Sequence, residues 1–357
     1  MSRENLKDSI SPKITISCLL LICALFLVCN YLPVANASET YSYLTQWGSY
    51  GQNDSQFNTI GGIATDSIGN VYVVDTNNNR IQKFTSDGKF ITTWGSYGKA
   101  NGEFNVPTSI ATDSSGNVYV TDQFNNRIEK FDSNGNFLTE FVFSSFFPWG
   151  IAVDNTNNVY VSDASKHVIL KIGPDGQLVT TWGFLGKADG QLDTPRGVAI
   201  DSSDNVYVAD QGNDRIQKFS SDGIFIAKWG TTGNENGQFS SPFGLAIDSN
   251  DNLYVTDLNN DRIQKFTSDG KFITSWGHYG QSNGTFVYPD GISIGTSGNV
   301  YVIDQSSNQN IQVFSNQNST TSSVIDEKNS IPEFSSAVYV IVIIGMLSTI
   351  IIHRKFL

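Results

Sequence analysis

The chain has 357 residues, a formal charge of -12 and three cysteines. Cys18, Cys23 and Cys29 all stand near the N-terminus, so the rest of the chain offers no disulfide and no thiol nucleophile, and its fold must rest on core burial. An acidic surface of this kind repels phosphate, which excludes nucleic acid as a partner.

Arg3, Lys7 and Lys13 precede an apolar run from Ile14 to Cys29, and the small-residue triplet Ala35-Asn36-Ala37 follows. A basic start, a short apolar stretch and an A-x-A site predict a signal peptide over residues 1–37, with a mature start near Ser38. The run of 16 residues is short for a spanning helix, which needs roughly 20.

Residues 40–315 are one unit repeated six times. A Tyr-Val-x-Asp run recurs with its carboxylate at Asp75, Asp122, Asp163, Asp210, Asp257 and Asp304, at intervals of 47, 47, 41, 47 and 47 residues. Within the first unit, residues 62–65 predict a short strand and Asp66 to Asn70 a turn in which Gly and Asn supply positive φ. Residues 71–74, β-branched and aromatic, predict a strand buried on both faces. Residues 76–79 turn the chain into a third strand over 80–84. The Asp87-Gly88 pair signals a hairpin into a fourth over 90–94. The last unit, Gly291 to Phe314, has only three strands, and Tyr41 to Gly48 forms an orphan fourth. The expected fold is therefore all-β: a six-bladed β-propeller of four-stranded antiparallel blades, closed by the N-terminal strand in the last blade.

The units resemble NHL repeats, most clearly at Asn70-Val71-Tyr72-Val73-Val74-Asp75 and Asn79-Arg80-Ile81-Gln82-Lys83-Phe84. Blade three departs from the pattern. It follows a link six residues short, lacks the loop seen at Tyr97 to Phe104 and Tyr279 to Phe286, and carries Val168 where most blades have Arg; blade six has Asn310 there.

Beyond the repeats, residues 316–333 read as a flexible polar stalk and 334–357 as an apolar segment with the basic tail His353, Arg354, Lys355. Ile331-Pro332-Glu333-Phe334 before a short span resembles the archaeal PEF-type signal cut by sorting enzymes (archaeosortases), although Ser335 stands where one large group has Gly. The resemblance implies export and attachment to the cell surface; the alternative is a plain C-terminal membrane anchor. Asn53, Asn283 and Asn318 begin glycosylation sequons.

Catalytic and metal chemistry find little support. The Asp201 and Asp248 turns resemble the start of a calcium loop, but the twelfth positions are Gly212 and Asn259 rather than Glu. His167 and His278, with no cysteine, supply no zinc site. The repeat family includes a histidine-zinc lyase, and six-bladed lactonase-type hydrolases hold a metal at the channel; neither ligand set is found here, so no cofactor or metal is expected. The repeated Asp and Arg, being the same in most blades, read as turn closure.

A ligand site needs differences between blades. The lead-in to each first strand reads Pro-x-Gly in most units, and x runs Gly61, Thr108, Trp149, Arg196, Phe243, Asp290. These six side chains should ring one mouth of the axial channel. A second ring follows the repeated Asp, at Thr76, Gln123, Ala164, Gln211, Leu258 and Gln305, on the same face. Aromatics with one charge of each sign suit an extracellular protein, a glycan or a small polar ligand. The expected function is a cell-surface binding module. The alternatives are an extracellular propeller hydrolase or lyase working at the channel, and a purely structural envelope component.

Overall fold

The computed structural model describes residues 39–307 and 309–317. The expected signal peptide, the Pro-Glu-Phe motif, the C-terminal segment and most of the stalk lie outside the described residues, as does Asn318. Among the described residues, no helix is long and apolar enough to cross a membrane.

The described residues form six four-stranded antiparallel sheets and one small two-stranded parallel pair. In blade one the strands are Ile60–Thr65, Val71–Asp75, Arg80–Phe84 and Phe90–Trp94. The second strand is buried along its whole length, as its apolar character on both faces demands. Its hairpin is fixed by Asp66, whose carboxylate accepts the N–H groups of Ile68 and Asn70, the Asn70 amide and the Tyr72 hydroxyl. The other first strands are Pro107–Thr112, Pro148–Val153, Pro195–Ile200, Pro242–Ile247 and Pro289–Ile294, and each lies against its two neighbours in a closed ring. Six apolar clusters follow, each shared by adjacent blades; Val71, Val73 and Phe84 of blade one, for example, pack on Tyr301, Ile303 and Ile311 of blade six.

Closure follows the sequence expectation. Tyr41–Trp47 pairs antiparallel with Asn310–Asn316, bringing Tyr43 opposite Phe314 and Trp47 opposite Ile311, with a bulge between Tyr43 and Thr45. The last strand runs to Asn316, one residue past the expected boundary. At this seam two segments distant in sequence stand where the other blades have one continuous hairpin. In blades one and four the third-strand lysines, Lys83 and Lys218, donate to the carbonyls of Ser133 and Ser268 in the next blade's hairpin. Lys265, which faces the seam, donates to the Glu39 carboxylate at 2.7 Å. Tyr41 adds a stacked contact with Trp276 at 4.1 Å.

The framework aromatics show why the hairpin glycine is needed. Trp47 lies so close to Gly88 that a Cβ there would sit 2.7 Å from the indole, and the backbone at Gly88 has φ +82°. Trp94 against Gly135, Trp182 against Gly223 and Trp229 against Gly270 repeat the contact, with Phe141 against Gly176 in the remaining copy.

The repeated Asp and Arg do more than close a turn. Arg80 gives Nε to Asp75 at 2.7 Å, then reaches the carbonyls of Asn53 and Gln56 in the loop preceding its blade. Arg127, Arg215 and Arg262 hold the equivalent loops in the same way. The two oddities of blade three thus have one cause. Its lead-in lacks that loop, Phe146 fills the buried slot directly, and Val168 stands where an arginine would have no carbonyls to bind.

Candidate functional site

The first strands begin two residues earlier than expected in blade one, at Ile60, and elsewhere at the proline itself. Each contains a bulge over x and the residue after it, which is Gly in every blade but the second, where it is Ser109: Pro148 pairs with Asp163 and Ile151 with Val161, so Trp149 and Gly150 face one residue, Ser162. The extra residue lifts x out of the ladder and turns it toward the mouth.

Five of the six x positions, Gly61, Thr108, Trp149, Phe243 and Asp290, line one cavity of about 70 Å³. Beneath them Ile63, Ile110, Ile151, Val198, Leu245 and Ile292, one from each blade, give it an apolar floor. Sequence reasoning did not name this floor, although its six residues stand two places after x in every blade. The sixth x residue, Arg196, lies over Trp149 with its guanidinium carbon 3.8 Å from the ring centroid and 5.5 Å from that of Phe243. Trp149 and Phe243 meet edge to face at 6.1 Å. The four non-uniform side chains are therefore brought together.

The second ring joins the first on the same face in two blades. Gln211 accepts the Arg196 Nε–H at 2.8 Å, and Gln305 donates to Asp290 at 3.0 Å. Gln123 stands differently: Thr108 bonds to Thr121 instead, and the buried Gln123 amide nitrogen has no partner. Thr76 lies against Gly61, Ala164 is buried, and Leu258 begins the turn of blade five.

Three hydroxyls hold the mouth's backbone. Thr121 donates to the carbonyl of Trp149, Ser162 to that of Arg196 and Thr256 to that of Asp290, at 3.1, 2.6 and 2.7 Å. Ser162 and Thr256 also accept the N–H of Gly150 and Gly244. The same place is Val74, Ala209 and Ile303 in the other blades. These residues were missed because they act on the next blade; the signal was the varying x of Tyr-Val-x-Asp.

Asp290 is the titratable centre of the mouth. The residue is half-buried, and desolvation by the surrounding protein pushes its carboxyl up to about 7, against the Gln305 hydrogen bond and the Arg196 charge, which lower it. Its Oδ1 has no partner. Burial pushes the Arg196 guanidinium down, and the Asp290 charge opposes that. Among the described residues, no group of three or more His, Cys, Asp or Glu could hold a metal ion. His167 accepts the Thr194 N–H through Nδ1, a turn contact, and is not among the residues lining the cavity.

The chain is similar to known proteins at the level of fold. Residues 52–172 match a family described as a 6-bladed beta-propeller, and residues 192–219, 239–266 and 286–314 match the NHL repeat. No curated protein matches the sequence. Among solved structures, a streptogramin B lyase superposes with TM-score 0.56 at 15% identity, over 78% of this chain and 98% of that one. A gluconolactonase from Xanthomonas campestris gives 0.56 at 15%, over 74% and 88%. An auxiliary nutrient binding protein from Bacteroides thetaiotaomicron gives 0.61 at 12%, over 79% of each.

Proposed function

We propose that this six-bladed β-propeller with NHL repeats is a binding module that takes a small polar ligand at the axial mouth formed by Trp149, Arg196, Phe243 and Asp290. One observation carries the reading: in a molecule whose blades otherwise repeat, the side chains that differ most gather at one mouth, where Trp149, Phe243 and Asp290 line the cavity and Arg196 lies over Trp149. A cavity of about 70 Å³ favours a compact ligand over a polymer or a protein surface. The nutrient-binding propeller among the solved structures shares the fold and is in keeping with this role. We place the protein outside the cell, exported by the segment over 1–37 and held at the surface by 334–357, either as a membrane anchor or after processing by a sorting enzyme.

The test is a thermal-shift screen of small metabolites against the purified protein, followed by titration of each hit into a Trp149→Ala/Phe243→Ala variant. Binding should weaken at least tenfold while the melting temperature of the unliganded protein moves little. A hit that binds the double variant unchanged removes the mouth from the reading.

A second reading rests on Asp290. A carboxyl held near 7 inside a cavity can give or take a proton at neutral pH, as a hydrolase or lyase would require. Under that reading Asp290→Asn retains ligand and loses turnover.

A further inference from the structure

Five arginines lie among the described residues. Four of them, Arg80, Arg127, Arg215 and Arg262, pair with a carboxylate and with loop carbonyls. Arg196 has no carboxylate within ion-pair distance; its one hydrogen bond is from Nε to Gln211. Its position is nonetheless fixed, by the stack on Trp149, the Phe243 ring and the Ser162 bond to its own carbonyl. A guanidinium stays charged at any physiological pH. The mouth therefore holds a positioned cation whose two terminal nitrogens are unused; the Asp290 carboxyl, farther off than ion-pair distance but within reach of its charge, has one buried oxygen without a partner.

Resting on the mouth as a ligand site, we infer that its ligand is a small hydroxy acid, with the carboxylate on the terminal nitrogens of Arg196 and the hydroxyl on Asp290. An Arg–carboxylate pair is the strong, bidentate kind. The arriving negative charge also acts on Asp290, in the direction that favours its neutral form. Arg196 is the charged group acting on Asp290; the neighbouring first strands present Phe243 and Gly61 at the mouth, and the second ring presents Gln305. Binding should thus take up a proton, and affinity should fall as pH rises through about 7.

The probes are glycolate, its neutral analogue glycolamide and the cation ethanolamine, titrated by saturation-transfer NMR at pH 6 and pH 8. Glycolate should bind at least about tenfold more tightly than either analogue, and its Kd should rise about tenfold between the two pH values. Arg196→Met should abolish glycolate binding. Asp290→Asn should keep it and flatten the pH profile. Melting curves confirm that both variants fold. Preference for ethanolamine or glycolamide, binding of none of the three, glycolate binding that survives Arg196→Met, or a flat parent profile each overturns the inference. The mouth as a ligand site is judged separately by the metabolite screen, which a ligand of another charge would still satisfy.

Discussion

Glu129 is a buried carboxyl where four other blades carry glutamine, and replacing it should stabilise the protein. Gln82, Gln217, Gln264 and Gln312 each accept a loop N–H through Oε1 and donate through Nε2 to a loop carbonyl and to the repeated Asp. Glu129 keeps the first bond, from Gly102 at 2.9 Å, but its Oε2 stands where the amide should be and has no hydrogen-bond partner. Burial, with Asp122 and Glu140 adding to it, pushes this carboxyl from 4.5 up to about 7, against the Gly102 bond and the Arg127 charge. A folded-state value above the unfolded one means stability present below about 4.5 and lost as pH rises through about 7. The difference is worth roughly 3 kcal/mol at 1.36 kcal/mol per pKa unit. Glu129→Gln should therefore change little at pH 5. At pH 8.5 it should add roughly 3 kcal/mol, a rise of about 1 M in the urea midpoint at an m-value of about 3 kcal/mol/M. A variant no more stable than its parent at pH 8.5, or equally stabilised at both pH values, refutes the reasoning.

Four further outcomes are expected. Asp290→Asn should remove a second acid-favoring share of stability, up to roughly 4 kcal/mol, because the parent's carboxyl rises from 3.8 to about 7; melting temperature against pH then flattens between pH 4 and 8. Ser162→Ala leaves the Gly150 N–H and the Arg196 carbonyl without their partner, which should cost about 2 kcal/mol in urea unfolding and weaken ligand binding at the mouth. Trp182→Phe should cost less than about 1.5 kcal/mol, since the indole N–H has no partner and Phe141 fills the same slot in another blade. Gly223→Ala, opposite that same ring at φ +82°, should cost more.

The blade pattern was legible because each strand carries its own signal. Alternation, turn residues and a near-constant interval place every Tyr-Val-x-Asp strand, and Tyr41 to Trp47 betrays itself as a strand without a blade. The mouth was legible for a related reason, since six aligned copies expose the positions that differ. What escaped reading acts between blades. Ser162 meets Arg196 34 residues on, and Glu39 meets Lys265 across 226 residues. The bulge that directs Trp149 inward depends on pairing with the next strand, which the Pro-x-Gly sequence does not reveal. The clamp of Arg80 on Asn53 and Gln56 was likewise invisible, so the missing loop and the missing arginine of blade three looked like separate accidents.

Those departures argue that framework and mouth obey different constraints. Framework changes occur in matched sets. Blade three loses its loop together with the arginine that would clamp it. Blade six has Gly295 where blade one has Asp66, and Val313 where it has Lys83, so the buried lysine and its nearby carboxylate vanish together and Tyr301 turns its hydroxyl to the Ser86 carbonyl instead. Keeping either charge alone would leave it buried without its counterpart, a cost of several kcal/mol. Glu129 is the exception, a buried carboxylate whose Oε2 has the Arg127 guanidinium at 3.5 Å but no hydrogen-bond donor, which is why its replacement is the sharpest test of this logic. At the mouth no such matching holds. Trp149, Arg196, Phe243 and Asp290 differ in size, charge and polarity, Arg196 has no carboxylate partner, and Asp290 keeps an oxygen without one. Yet the backbones of three of the four are fastened by hydroxyls that the other blades lack. Positions held so firmly, with the Arg196 terminal nitrogens and one Asp290 oxygen left unmatched, are what the proposed ligand site requires.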